Sequence, residues 1–484
     1  ESWVLDPNKS ITLTASGNVL VLGELVMKPA SADIEHALIF QGVDNSAFVG
    51  GGMDPVPTDV GLWVMGDGRL DLEGEEKPAW GYEFDPSWLG DEVMAAPNTQ
   101  GDYYVFEEMT STPPPNELGY PTELMNLTRN VRIEGTPEGF THVFLRSTQP
   151  QTIRYVALRY MAPHFGDSDR TGRYGLHFHM AGEGSRGSIV EGVVVRDAGN
   201  HAFVPHASHG ITFRDTIAYN VLNEAYWWDP APEEEDTTND TNDLIWDRAV
   251  VAGVDLGVEG NKFRLAGFFL GNGSNMTISN SVAVGVRGEP DSESSGFIWP
   301  EGAGAVWLFE NNVAHNNLSN GVFVWQNNAE VHPVDGFTGY YNGKAGIEHG
   351  AYENSYQYHD LALPGNGVAI ISHALGGESD QGEVDTQTWT NITSGGGTLI
   401  IDKHATQPEV PVRFMDCDFG LVVVADEEGG VPGKYDFVNC DLQPDEFDLE
   451  SAYGSSVFRV QNADGTTYQL LGNGTETEIA LFYE

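Results

Sequence analysis

Lysine is scarce in this sequence. It occurs only at Lys9, Lys28, Lys77, Lys262, Lys344, Lys403 and Lys434, and lysine and arginine together number 23 against 72 acidic residues, a formal charge of −49 over 484 residues. Nucleic acids and anionic membranes are bound through clustered basic surface, so neither is expected as a partner. No apolar run approaches the roughly 18 residues of a membrane-spanning helix. Cysteine is limited to Cys417 and Cys440, which excludes a disulfide-dense scaffold. Few segments carry the apolar spacing of an amphipathic helix. No phosphate loop, dinucleotide fingerprint or Gly-x-Ser-x-Gly elbow stands in a fitting context.

What is there is a large apolar fraction, 40% of residues, and 58 glycines, enough for a folded core. Acids spread over the whole chain, with so little lysine, describe a coat adapted to high salt, where self-repulsion is screened. The blander reading is an ordinary acidic secreted protein. The opening Glu1-Ser2-Trp3 reads as a chain from which a signal peptide has been removed, hence a secreted protein.

Short runs of Val, Ile, Phe and Tyr recur between Gly, Asn, Asp and Ser, as strands joined by turns. Residues 192–203 slide by 23 positions onto residues 215–226 without a gap. Weaker copies begin at Ile211, Met276 and Trp307. Near the end, Phe414-Met415-Asp416-Cys417-Asp418-Phe419 and Phe437-Val438-Asn439-Cys440-Asp441-Leu442 are again 23 apart. A period of this length in Gly/Asn-rich β sequence is one coil of a parallel β-helix. Cys417 and Cys440 then stack about 4.8 Å apart on adjacent coils, and both a disulfide and a reduced ladder stay open. The expected fold is all-β: a right-handed parallel β-helix with an N-terminal β domain. The divisions are residues 1–130 for that domain and a linker, 131–390 for the β-helix with its groove, and 391–484 for C-terminal coils and a cap.

The chemistry concentrates in Gly172-Arg173-Tyr174-Gly175-Leu176-His177-Phe178-His179-Met180. His177 and His179, two apart on a strand, share one face. In the 23-residue register His206 falls over Asp229, and His179 lies one coil earlier if a short insertion is allowed. His179, His206 and Asp229 would form one outward column, with His177, Val204 and Trp227 beside it and Phe178, Pro205 and Trp228 pointing inward. Mixed nitrogen and oxygen donors suit a divalent Zn, Mn, Fe or Ni ion better than Ca. The alternative is a polar ladder hydrogen-bonded along the coils. Tyr174, His201 and Glu224 form a second column, either bracing a corner or working as acid and base.

Between Met161 and Gly172 an insertion carries His164, Asp167, Asp169 and Arg170 and would stand as a groove wall. Residues 151–214 hold seven arginines against five acids, an island expected to receive an anionic ligand, with Arg170 and Arg186 as contacts. Tyr226, Trp227, Trp299, Trp307 and Trp325 would line the groove and stack on sugar rings, or else pack the core.

The block from Gly172 to Met180 resembles the Gly-Arg-Tyr-Pro-Ile-His-Phe-His motif of the cell-migration-inducing, hyaluronan-degrading family, whose members include a transmembrane relative. The segment His206-Ala207-Ser208-His209-Gly210 leading to Asp215 and Tyr219 is similar to theirs, and Leu62-Trp63-Val64-Met65-Gly66-Asp67-Gly68 is similar to the end of their eight-glycine domain. The sequence departs from the family at Gly175, where they have proline, and at Glu224, where they have histidine. The resemblance implies a β-helix in an extracellular setting that depolymerises an acidic, uronate-containing polysaccharide. Three readings stay open. A hydrolase would take its acid and base from Asp229, Glu224 or Asp167. A lyase would neutralise the uronate with the metal and Arg173, while Tyr174, His177 or His201 handles the C5 proton. A non-catalytic glycan-binding module is the third. The partner is an anionic polysaccharide, and the chain is expected to act as a monomer.

Overall fold

A computed structural model of the chain describes residues 2–165, 168–169, 172–228, 240–256, 265–288, 293–300, 305–325, 331–350, 355–372, 377–378, 384–385, 387–402, 411–425, 433–452 and 454–477. It is a parallel β-helix. One coil consists of three short strands, as in Ile189–Glu191, Val194–Ala198 and Phe203–Ser208. The next coil lays Thr212 on Ile189 and Ile217 on Val194, which is the 23-residue slide seen in sequence. Tyr226 completes it by bridging Phe203 on one side and Phe268 on the other. Three ladders of parallel strands therefore run along the molecule.

Strands stay short because corners interrupt them. Asp197, Asp215, Asn220, Asn223, Asn280 and Asn311 all sit at positive φ, between 50° and 60°. Asn and Asp tolerate this left-handed conformation because their side chains hydrogen-bond locally. They also bond between coils: Asn223 donates to Asn200 at 3.0 Å and Asn220 to Asp197 at 2.9 Å. Inward positions stack aromatic rings, with Phe203, Tyr226, Phe268 and Phe297 successively 4.8, 4.6 and 5.0 Å apart. Each such ring contributes about 1.5–3 kcal/mol by burial alone.

The strands expected as a separate N-terminal domain join the same ladders. His36–Phe40 pairs with Val131–Glu134, Leu62–Gly66 with Val143–Ser147, and Arg69–Glu73 with Thr152–Arg154. The intervening segment is what leaves the helix. It forms an antiparallel sheet of Trp80–Gly81, Val93–Ala95, Glu107–Glu108 and Leu124–Asn126. Trp80, Met125 and Leu127 of this excursion cover the outer side of Val194, Ile217, Val250 and Val282. The excursion hid the repeat, since it separates strands that are neighbours in space.

At the far end Thr467–Leu471 turns back antiparallel on Val457–Gln461 and ends the parallel stacking. Cys417 and Cys440 are buried and unbonded. Their sulfurs donate to carbonyls two residues back, at 3.3 and 3.5 Å, so of the two expectations the reduced ladder is the one found. Parallel coils point both side chains the same way, and burial pushes the Cys417 thiol pKa up.

Candidate metal centre

The strand Leu176–Gly182 lies between Val143–Ser147 and Phe203–Ser208 in one ladder. Alternation sends Leu176 and Phe178 into the core and His177 and His179 to the opposite side. Register places Phe144, His177 and Val204 in one row, and His179 against His206 in the next. His177 Nε2 lies 3.3 Å from His179 Nδ1, which lies 3.2 Å from His206 Nδ1. The three nitrogens are all within 4.8 Å of one another. Nitrogens held about 2.1 Å from a common ion stand roughly 3.0–3.4 Å apart, so two of the three separations already fit shared ligation.

His177 is fully buried, and its Nδ1–H donates to the Gly172 carbonyl at 2.9 Å. That bond leaves the Nε2 lone pair facing the other two rings, the arrangement in which a ligating histidine is usually held. Burial, then the neighbouring His179 and His206, push the His177 pKa well below its ordinary value. It therefore stays neutral at physiological pH. The ring of Phe144 flanks the cluster, 5.3 Å from His177 and 4.8 Å from His179.

The second column comes to the same place. The corner at Asn200 turns His201 back, so that its ring stacks on Trp227 at 4.0 Å. His201 Nδ1 bonds to the Glu224 carbonyl at 2.8 Å and lies 3.5 Å from the Glu224 carboxylate. Tyr174 is wedged between the groups, its ring centre 4.8 Å from His177 and 5.0 Å from His201. His179 and Trp227 are the half-buried members.

Several expectations are corrected. Arg173 does not face a ligand: it is buried and pairs with Asp59, Nε to Oδ2, at 2.8 Å. Arg186 is exposed but already matched, 2.5 Å from Glu183 and 2.8 Å from Asp243. Among the described residues every arginine of the island is paired with an acid. Arg196 reaches Glu92 at 2.6 Å, Arg214 reaches Asp247 at 3.3 Å, and Arg154 reaches Glu73 at 3.5 Å. Glu73, Glu92 and Asp247 lie outside residues 151–214, because stacking brings other parts of the chain alongside. Trp299 lies on the inward face with Phe297, fully buried, 5.0 Å from Phe309, and so cannot stack on a sugar. Tyr226 and Trp307 are likewise in the core. Trp228 leaves the inward column for a separate cluster with Phe269, Ile298 and Phe323, with Trp325 at its edge. Asp229, Arg170 and Asp167 lie outside the described residues.

The sequence reasoning missed Phe144, Asp59 and the Gly172 carbonyl. Only the last had a local signal, since Gly172 opens the histidine block.

Comparison with known proteins finds similarity over the stretch that carries these residues. A family described as CEMIP beta-helix matches residues 141–322, which contain all three histidines. The human cell surface hyaluronidase CEMIP2 is 22% identical over 250 residues, covering 41% of this chain and 18% of that protein. The chain resembles the cell-migration-inducing, hyaluronan-binding family. The mouse cell migration-inducing and hyaluronan-binding protein is 30% identical over 88 residues, 17% of this chain and 6% of that one. Human Fibrocystin-L is 27% identical over 124 residues, 26% of this chain and 3% of that one. The matches thus span under a fifth of the length of these relatives.

Proposed function

We propose that the chain is a secreted, metal-dependent depolymerase of a uronate-containing, hyaluronan-like polysaccharide, and that it cleaves by hydrolysis. The observation that carries this reading is the convergence of His177, His179 and His206 beside the Tyr174–His201–Glu224 group, in a stretch similar to proteins named as hyaluronidase and hyaluronan-binding. Three imidazole nitrogens favour Zn, Mn, Fe or Ni over Ca. A bound ion supplies a Lewis acid for an anionic sugar group.

The chain's own residues do the rest. Glu224, 3.5 Å from the His201 ring, is the carboxyl group placed to hold or deliver a proton. Trp227, stacked on His201, walls the site and excludes water from the pair. A lyase is the second reading, favoured by the wedged position of Tyr174 between two imidazoles, where its hydroxyl would relay the C5 proton. The burial of Arg173 against Asp59 removes one element of that scheme and tips the balance to hydrolysis. Among the described residues no helix is long and apolar enough to cross a membrane.

The test is incubation with hyaluronan, chondroitin and other polyuronates, with and without chelator, reading absorbance near 232 nm beside reducing ends. Reducing ends without unsaturation, lost on chelation and in both His179→Ala and His206→Ala, support the proposal. Unsaturated ends make the protein a lyase. No product from any substrate leaves a glycan-binding module.

A further inference from the structure

We infer that the buried Asp59–Arg173 pair is a positioning device for His177: it pins the backbone of residues 172–174 so that the Gly172 carbonyl dictates which imidazole nitrogen faces the other two histidines. Both side chains are at most 1% exposed. A buried ion pair is poor evidence of a stability role, because an apolar pair of similar volume usually serves folding as well or better. Its presence directly behind the histidines points to geometry instead.

The pair is fully wired. Asp59 accepts from the Val49 and Gly50 N–H groups at 2.8 and 3.0 Å and from the Thr58 hydroxyl at 3.0 Å. Arg173 donates its remaining nitrogens to the Gly51 and Gly52 carbonyls at 2.6 and 3.4 Å. Gly50, Gly51 and Gly52 all have φ between 59° and 68°. Such a run of left-handed residues is open to glycine without strain, and it curls the backbone round the guanidinium. The guanidinium carbon then lies 4.6 Å from the Trp63 ring centre and 5.5 Å from Phe144, the ring that flanks His177 and His179.

Arg173 is thereby anchored to a loop some 114 residues away in sequence, and its chain neighbours inherit the constraint. On one side is Gly172, whose carbonyl accepts the His177 Nδ1–H. On the other is Tyr174, whose ring contacts His177. With the anchor removed, the Gly172 carbonyl is free to drift, and His177 loses its reason to keep the proton on Nδ1 rather than on the nitrogen aimed at the cluster. Arg173 touches none of the three convergent nitrogens, so it acts through His177.

The experiment compares wild type with Arg173→Lys and with the double variant Asp59→Leu/Arg173→Met, which replaces the pair by apolar groups. Long-range nitrogen–carbon correlations of the imidazole rings in metal-free protein report the His177 tautomer. Titration with zinc reports affinity. The expected result is a pure Nδ1–H tautomer in wild type, a mixed population in the folded double variant, and zinc affinity about 10–100-fold weaker. Arg173→Lys, which keeps the charge but not the planar fork, falls between. A folded double variant with the wild-type tautomer and wild-type zinc affinity overturns the inference. If the double variant does not fold, an unchanged tautomer in Arg173→Lys overturns it equally. The affinity arm rests on the metal reading under the proposed function, whereas the tautomer arm does not. Wild-type protein that binds no zinc therefore refutes the metal reading and leaves this inference to the tautomer.

Discussion

His142 lies behind the histidine centre, and its burial makes a quantitative prediction about acid stability. Its ring stands edge-on to Trp63 at 4.9 Å, and its Nε2–H donates to the Asp59 carbonyl at 3.2 Å. Burial, then the Arg173 guanidinium, push its pKa from 6.5 to about 3, against the partial opposition of Asp59. The unfolded chain therefore takes up a proton at this residue near pH 6.5, and the folded chain does not until about pH 3. Above pH 6.5 both states are neutral and the residue makes no pH-dependent contribution. As pH falls through the window the unfolded state gains protons that the folded state refuses, so stability is lost at about 1.4 kcal/mol per pH unit. Between about pH 7.5 and pH 5 the loss from this one residue is about 2 kcal/mol. His142→Gln keeps a donor for the Asp59 carbonyl but cannot titrate. Urea unfolding of both proteins with chelator present, across that range, isolates the effect, because the carboxylates and other histidines common to both cancel in the difference. The stability of wild type relative to the variant should fall by about 2 kcal/mol over the range. A difference that stays flat with pH refutes the reasoning, and with it the claim that the ring is held neutral by its surroundings.

Trp299→Ala should destabilise the fold by about 3–5 kcal/mol, since a fully buried ring leaves a cavity in the core. Denaturant midpoints measure the loss, and product formed per folded molecule should not change. Thiol reagent should find no reactive cysteine in the native protein and both Cys417 and Cys440 on denaturation, and reductant should leave the melting temperature unchanged. Raising KCl from about 0.1 M to about 1 M shortens the screening length from about 10 to about 3 Å and should raise the melting temperature of a chain with charge −49. A fall would remove the salt-adapted reading. Arg186→Ala, its exposed charge already matched by Glu183 and Asp243, should change substrate KM little and stability by less than about 1 kcal/mol.

The fold was legible wherever strands adjacent in space are also 23 residues apart. That holds for residues 189–226 and again for the coils bearing Cys417 and Cys440, where each corner costs only a few residues. It failed between Arg69–Glu73 and Thr152–Arg154, which pair directly although the excursion that leaves the ladders between them is longer than two coils. The His177–His179–His206 cluster was also legible, from strand alternation and from the coil register once the extra residues that set His179 and His206 27 apart are allowed for. The charge of the arginine island was not. Beside Glu183, Glu191 and Asp197 within the stretch, further acids reach it from Glu73, Glu92 and Asp247, and a window along the chain cannot see what the neighbouring coil presents. Trp299 shows the remaining difficulty. Periodicity assigns an aromatic to one of two faces only when the strand's start is known to the residue, and a shift of one exchanges groove for core.

The left-handed corners bear on the chain's acidity. Asp197, Asp215, Asp243, Asp360, Asp416 and Asp441 occupy positive-φ positions beside asparagines in the same role. There the left-handed backbone accepts aspartate and asparagine alike. Both carry a side-chain oxygen that bonds the next coil, as Asp197 accepts from Asn220, Asp243 from Asn275 and Asp416 from Asn439, and the charge comes along with it. Part of the acidic surplus thus belongs to the shape of the coil and not to the solvent. A lineage moving to dilute water can shed these charges as asparagine and keep every corner, whereas alanine at the same places would strain each by about 1–2 kcal/mol. Composition drift in such a protein is expected to run along the Asp–Asn axis at corners and along any axis elsewhere.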